Sequence, residues 1–227
     1  MPTTKSSVIA GLVVALGTTS SAQKFTYTTS ELTGRIEANV LGDACHPEGT
    51  YTLGTKGPTI PPCISEQMIS KTCEDISGFF DAKDDDAKAL AYKNCLTGPG
   101  STYQADMGGC LSCKRFNAYL SPGQNTFWVE AQKKAWEAFK QDKLPTDSYW
   151  QYSLRFLPWD QYPNDPKGFK ASNTSIEHYY PFAPESQSIG IVNRRQGKRA
   201  LPSADEPRVV LIWEKGSVVG AYVDNKL

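Results

Sequence analysis

All six cysteines of this chain, Cys45, Cys63, Cys73, Cys95, Cys110 and Cys113, lie in its first half, so whatever they build staples that half alone. An even number of crowded cysteines can form disulfides, a zinc site or a redox pair, and the compartment decides among these. The close pair in "GGCLSCKRF" has the spacing that all three use.

The N-terminus points to the compartment. "MPTTKSSVIAGLVVALGTTSSAQKF" carries one positive charge at Lys5, an apolar run from Val8 to Gly17, and then small polar residues, with Ser20 and Ala22 placed for cleavage. That pattern predicts a secretory signal peptide over residues 1–22 and an extracellular mature chain over 23–227. No later stretch approaches the roughly 18 apolar residues of a spanning helix, so no membrane span is expected.

Exported thiols end as disulfides, and three bridges are therefore expected. A thioredoxin-type pair needs a strand leading into a helix at the first cysteine, whereas "LTGPGSTYQADMGG" before Cys110 reads as loop. Zinc needs four ligands, usually two close pairs; the other cysteines are widely spread, and only His46 and His178 could add nitrogen. The acidic run "DAKDDDAK" lacks the glycine and glutamate of a calcium loop, with Asp86 and Tyr92 at those positions. Neither a metal nor a cofactor is expected. Cys110 and Cys113 should each reach a different upstream partner. The expected pairing joins Cys73 and Cys95 to Cys110 and Cys113 and leaves Cys45 with Cys63, because "SEQMISKTCEDISGFF" and "DDDAKALAYKNCL" read as helices to be tied to the "CLSCKRFNAYL" segment.

"NTFWVEAQKKAWEAFKQDKLP" is the strongest helix pattern. Trp128, Ala131, Ala135, Trp136 and Phe139 share one face, which reads as core, with Asn125 as cap and Pro145 as stop. "RVVLIWEKGSVVGAYVDN" reads as a hairpin turning at Lys215, Gly216 and Ser217; "SIGIVN" offers a third strand, and "FTYTTS" and "RIEANVLG" also alternate. The fold class is α+β in one secreted domain: a disulfide-stapled helical N-terminal part (23–116), then an aromatic-rich part (117–227) with a small, mostly antiparallel sheet against the Trp128 helix.

Charge is balanced, 24 basic against 24 acidic side chains, which argues against nucleic acid or an anionic membrane as the main partner. The distribution is uneven. Residues 23–113 hold 7 basic and 12 acidic groups, residues 114–227 hold 16 and 12. Between Tyr149 and Phe182 lie 10 of the 25 aromatics, interrupted by Pro158, Pro163, Pro166 and Pro181. Aromatics on proline-broken loops suit a sugar-stacking or protein-binding surface, and Trp150, Trp159, Tyr162, Tyr179 and Tyr180 are the candidate contacts. Asn173 in "NTS" is a glycosylation sequon, and "NRRQGKR" at 193–199 reads as an exposed basic loop open to dibasic processing. No nucleophile elbow, zinc-protease or phosphate-loop motif occurs. Glu177 and His178 are the only neighbours suited to acid–base work, and a two-carboxylate glycosidase has no local signature.

Signal peptide, clustered cysteines and sequon together make the chain resemble the small secreted cysteine-rich proteins of fungi, many of which act as effectors. The resemblance is to a class, rests on the cysteines, and transfers no functional residue. It implies a disulfide-stabilised interaction protein that binds a host protein or cell-wall carbohydrate; the alternative is an extracellular hydrolase acting on polysaccharide.

Overall fold

The computed structural model describes residues 24–32, 34–36, 40–81, 84–171 and 175–192, and the backbone of 208–214 and 217–224. The predicted signal peptide, the Asn173 sequon and the basic loop at 193–199 lie outside the described residues.

Five helices build the core: α1 (Pro62–Ser77), α2 (Asp86–Thr97), α3 (Tyr103–Phe116), α4 (Pro122–Gln141) and α5 (Tyr149–Leu154). Local signals set their ends. Proline opens α1, and Gly78 ends it in the left-handed conformation (φ 62°), donating its amide to the Glu74 carbonyl. Asp85 caps α2 by accepting from the Ala87 and Lys88 amides. In α4 the cap is Ser121, not Asn125: Ser121 and Gln124 form a reciprocal capping box with Pro122 in the first turn, which moves the helix start upstream of the apolar stripe.

The central helix is α1, packed against α3 and α2. Ile64, Met68 and Ile69 are fully buried, but so are Ser65 and Thr72, because neighbours surround the helix. Its polar groups must then find partners inside the protein. Ser65 donates to Asp106 (2.9 Å), Ser70 donates to Glu74 (3.1 Å), and Thr72 shares a hydrogen bond with Tyr27. Asp106, buried on α3, also accepts from Thr102 (2.8 Å), Tyr180 (2.6 Å) and Gln187 (3.0 Å). Gln187 pairs both ways with the Ile60 backbone, so one buried carboxylate ties α1, α3 and the 180–187 segment together.

The three disulfides are Cys45–Cys113, Cys63–Cys110 and Cys73–Cys95, and the expected pairing is corrected. Cys73 and Cys95 face each other across α1 and α2 (Cα–Cα 5.4 Å), so this helical pair is closed upon itself. Cys110 and Cys113 do take different upstream partners, because three residues along a helix place both on one face. The loop expected before Cys110 is helix from Tyr103 onward. The second of its two glycines marks close packing rather than a break: a Cβ on Gly109 would lie 2.9 Å from the Pro62 Cβ and 3.0 Å from the Tyr180 ring.

The strands form two separate antiparallel pairs rather than one sheet. β1 (Phe25–Thr28) pairs with β2 (Thr50–Leu53), Phe25 opposite Leu53, and this ribbon leans on α1, not on α4. β3 (Arg208–Glu214) pairs with β4 (Ser217–Asp224) as the predicted hairpin, Val210 opposite Tyr222. Of "RIEANVLG", residues 37–39 lie outside the described residues, and its first two amides, Arg35 and Ile36, both donate to the Leu32 carbonyl. One expected strand is corrected among the described residues. The described part of "SIGIVN" runs as coil along the α2–α3 connection, where the Gly190 amide donates to Cys95 (2.7 Å) and Ile191 to Pro99 (3.1 Å). No helix among the described residues is long and apolar enough to cross a membrane.

Candidate functional site

The N-terminal turns of α4 extend past the core. Ala131, Ala135, Trp136 and Phe139 are buried as the stripe predicts, but Trp128 and its neighbour Phe127 are only half-buried. Other segments bring rings to them. Trp150 on α5 stacks on Trp128 with centroids 6.1 Å apart and planes within 15°. A 3₁₀ turn at Trp159–Gln161 sets Trp159 edge-on to Trp128 at 5.7 Å. Tyr162 stands edge-on to Phe127 at 5.1 Å and lies 6.0 Å from Trp159. The result is a continuous five-ring ridge in which Trp150, Trp159 and Tyr162 are 49%, 54% and 38% exposed.

Beside the ridge runs an open groove of about 410 Å³ between α4 and the 156–163 segment, lined by Phe127, Glu130, Lys134, Phe156, Pro158 and Gln161 among others. Its far wall is pinned to the start of α4. Asp165 accepts from the Ser121 hydroxyl and from the Gly123 amide (2.9 Å), and Gln124 donates to the Pro163 carbonyl (3.2 Å). A carboxylate suits this place, where helix amides are free and the dipole is positive. The Ser121 bond above all, then the Gly123 amide, lowers the Asp165 pKa. A Cβ at Gly123 would lie 2.7 Å from the Asp165 carboxylate and 3.1 Å from the Pro163 ring, so a larger residue there would displace the Asp165 side chain.

Of the five aromatics singled out in the sequence, the fold brings Trp150, Trp159 and Tyr162 together and removes the other two. Tyr179 and Tyr180 are buried, at 3% and 7%, among the Cys45–Cys113 and Cys63–Cys110 disulfides, so they are interior residues and not surface contacts. The Tyr179 hydroxyl accepts from Asn117 (3.2 Å), and the Tyr180 hydroxyl donates to Asp106. Reading Trp128 as core missed its part in the ridge. The available signal was Phe127, which falls off the buried stripe and makes a second large ring on an otherwise exposed helix end.

Glu177 and His178 sit exposed on a 3₁₀ turn, Ile176–Tyr179. His178 Nδ1 is hydrogen-bonded to Ser175, and neither Glu177 nor His178 lines the groove. His46, held by Asp43 through Nδ1 (3.0 Å), offers a ring nitrogen within 4.8 Å of the Cys63 and Cys110 sulfurs. Those sulfurs are bonded to each other, so the trio presents a metal with one nitrogen and no thiolate. Chemically, the ridge and groove supply apolar ring faces flanked by a carboxylate, an amide and an ammonium group. The chain matches no family model, no curated protein and no solved structure.

Proposed function

We propose that the protein is exported and works outside the cell as a disulfide-stabilised binding protein that takes cell-wall polysaccharide on the aromatic ridge. The single observation that carries this reading is the run of half-exposed rings from Trp150 to Tyr162 beside a shallow, polar-edged groove. Pyranose rings present C–H faces that stack on indole and phenol planes, while their hydroxyls need donors and acceptors at the edge, as Glu130, Gln161 and Lys134 supply. Soluble proteins rarely leave so many large rings in contact with water without a partner for them. The signal-peptide pattern and the three disulfides support export, and the likeness to secreted cysteine-rich fungal proteins supports an effector role at a host or fungal wall.

The test is retention on insoluble chitin, β-glucan and cellulose. Binding to at least one is expected, and Trp159→Ala with Tyr162→Ala should weaken it tenfold or more, since stacking contacts of this kind contribute roughly 0.5–1.5 kcal/mol each beyond buried area. A folded wild-type protein that binds none of the three sinks the reading, and capture of a host protein through the same two residues would replace polysaccharide by a protein partner.

A further inference from the structure

We propose that a second surface, at the C-terminal end of α3, docks on anionic lipid bilayers. Phe169 is 97% exposed and Phe182 is 91% exposed. Phe169 belongs to a segment fastened to Phe116, the last residue of α3, and Phe182 follows Tyr179 beside Phe116 and Tyr180, whose hydroxyl is held by Asp106 farther back on α3. The Ala171 amide donates to the Phe116 carbonyl (2.8 Å), and the Tyr179 ring lies 6.1 Å from the Phe116 ring, itself 39% exposed. Exposed Lys167 and Lys170 flank Phe169, and neither makes an ion pair among the described residues. Arg115 joins them: a Cβ on Gly168 would lie 3.5 Å from its guanidinium. The nearest acid in sequence, Asp165, is hydrogen-bonded to Ser121 and Gly123 and offsets part of the Arg115 charge. Lys167, Lys170 and Arg115 against this one carboxylate leave a local positive excess, which the balanced whole-chain charge conceals because the acidic excess lies in residues 23–113.

The shape selects the occupant. Phe169 and Phe182 line neither of the two grooves among the described residues; each projects from a loop, and a protein partner would have to supply a pocket for each ring. A bilayer interface accepts a projecting ring at the headgroup–acyl boundary without a preformed pocket, and lysines beside the ring keep their ammonium groups among the lipid phosphates. An anionic leaflet adds attraction of about 1 kcal/mol per basic residue near the surface, which makes this a reversible association. The ridge takes no part in it.

Cosedimentation of the purified protein with vesicles of phosphatidylcholine, with and without about 30% phosphatidylserine, tests the proposal. Binding is expected only with phosphatidylserine and should be released at roughly 0.5 M salt. Lys167→Gln with Lys170→Gln should weaken it about 30-fold, at about 1 kcal/mol per lysine and tenfold for every 1.4 kcal/mol. Phe169→Ser should weaken it about tenfold, the equivalent of partial burial of one ring. Trp159→Ala should leave vesicle binding unchanged, which separates this surface from the polysaccharide site. Far-UV circular dichroism would establish that these exposed-site variants remain folded. Absence of binding, equal binding to both vesicles, or wild-type binding by the folded variants would overturn the proposal; retention on heparin without loss in Phe169→Ser would assign the lysines to a soluble polyanion instead.

Discussion

Glu66 lies on the central helix with its carboxyl shut away from water, and that burial pushes its pKa from 4.5 to about 7, against the opposing effects of Lys114 and the Tyr103 hydrogen bond. Between those two values the native state holds a proton that the unfolded chain has lost, so stability falls as pH rises through this window. Glu66→Gln should therefore flatten the pH dependence of the denaturant midpoint between pH 4.5 and 7 and stabilise the protein above pH 7 by roughly 3 kcal/mol. Parallel profiles for the two proteins would refute the assignment. The glycine pair of α3 allows a sharper comparison. A Cβ on Gly108 meets nothing within 4 Å, whereas one on Gly109 collides with Pro62 and Tyr180. Gly108→Ala should gain about 0.5–1 kcal/mol of helix propensity, and Gly109→Ala should lose about 1–3 kcal/mol to overpacking, both read from urea unfolding. Two adjacent glycines are indistinguishable in the sequence, where they read as loop; only the position of α1 tells them apart.

At the scale of elements, Ser121 does two tasks, since it caps α4 and helps anchor Asp165 at the groove wall. Ser121→Ala should cost about 1 kcal/mol of stability and also loosen the 163–165 segment, so thermal unfolding and polysaccharide retention should decline together. A cap that served the helix alone would lower only the first. The extents of α1, α2 and α4 were largely legible because apolar spacing, acidic helix starts and proline positions are local. The disulfide pairing and the α3 start were not. They depend on how closely α1 approaches α3, and no local pattern encodes a distance between helices. The same holds for "SIGIVN": its strand-like composition is real, but hydrogen bonds to Cys95 and Pro99 bind it as coil to a neighbouring connection.

For the molecule as a whole, the cysteine-rich part and the aromatic part share a core. Tyr92 of α2 meets Phe139 of α4, and Tyr103 of α3 packs on Trp136 and Tyr149. A cluster of buried residues runs unbroken from Leu32 to Tyr152. Reduction, which on composition alone would melt residues 45–113 first, should instead lower hydrogen-exchange protection in α1–α3 and in α4 together; early loss confined to α1–α3 would contradict the shared core. The candidate site was legible as a cluster of rings but not as a surface, because burial of Tyr179 and Tyr180 and the half-burial of Trp128 follow from where the chain folds back. The parallel stack of Trp128 on Trp150 also has an optical consequence. Two indoles this close couple their strong far-ultraviolet transitions, so the far-ultraviolet circular dichroism should carry a split, two-signed contribution that Trp150→Phe abolishes. A ligand seated on the ridge would displace water from those same indoles and shift their fluorescence to the blue, giving the protein a built-in optical reporter of occupancy.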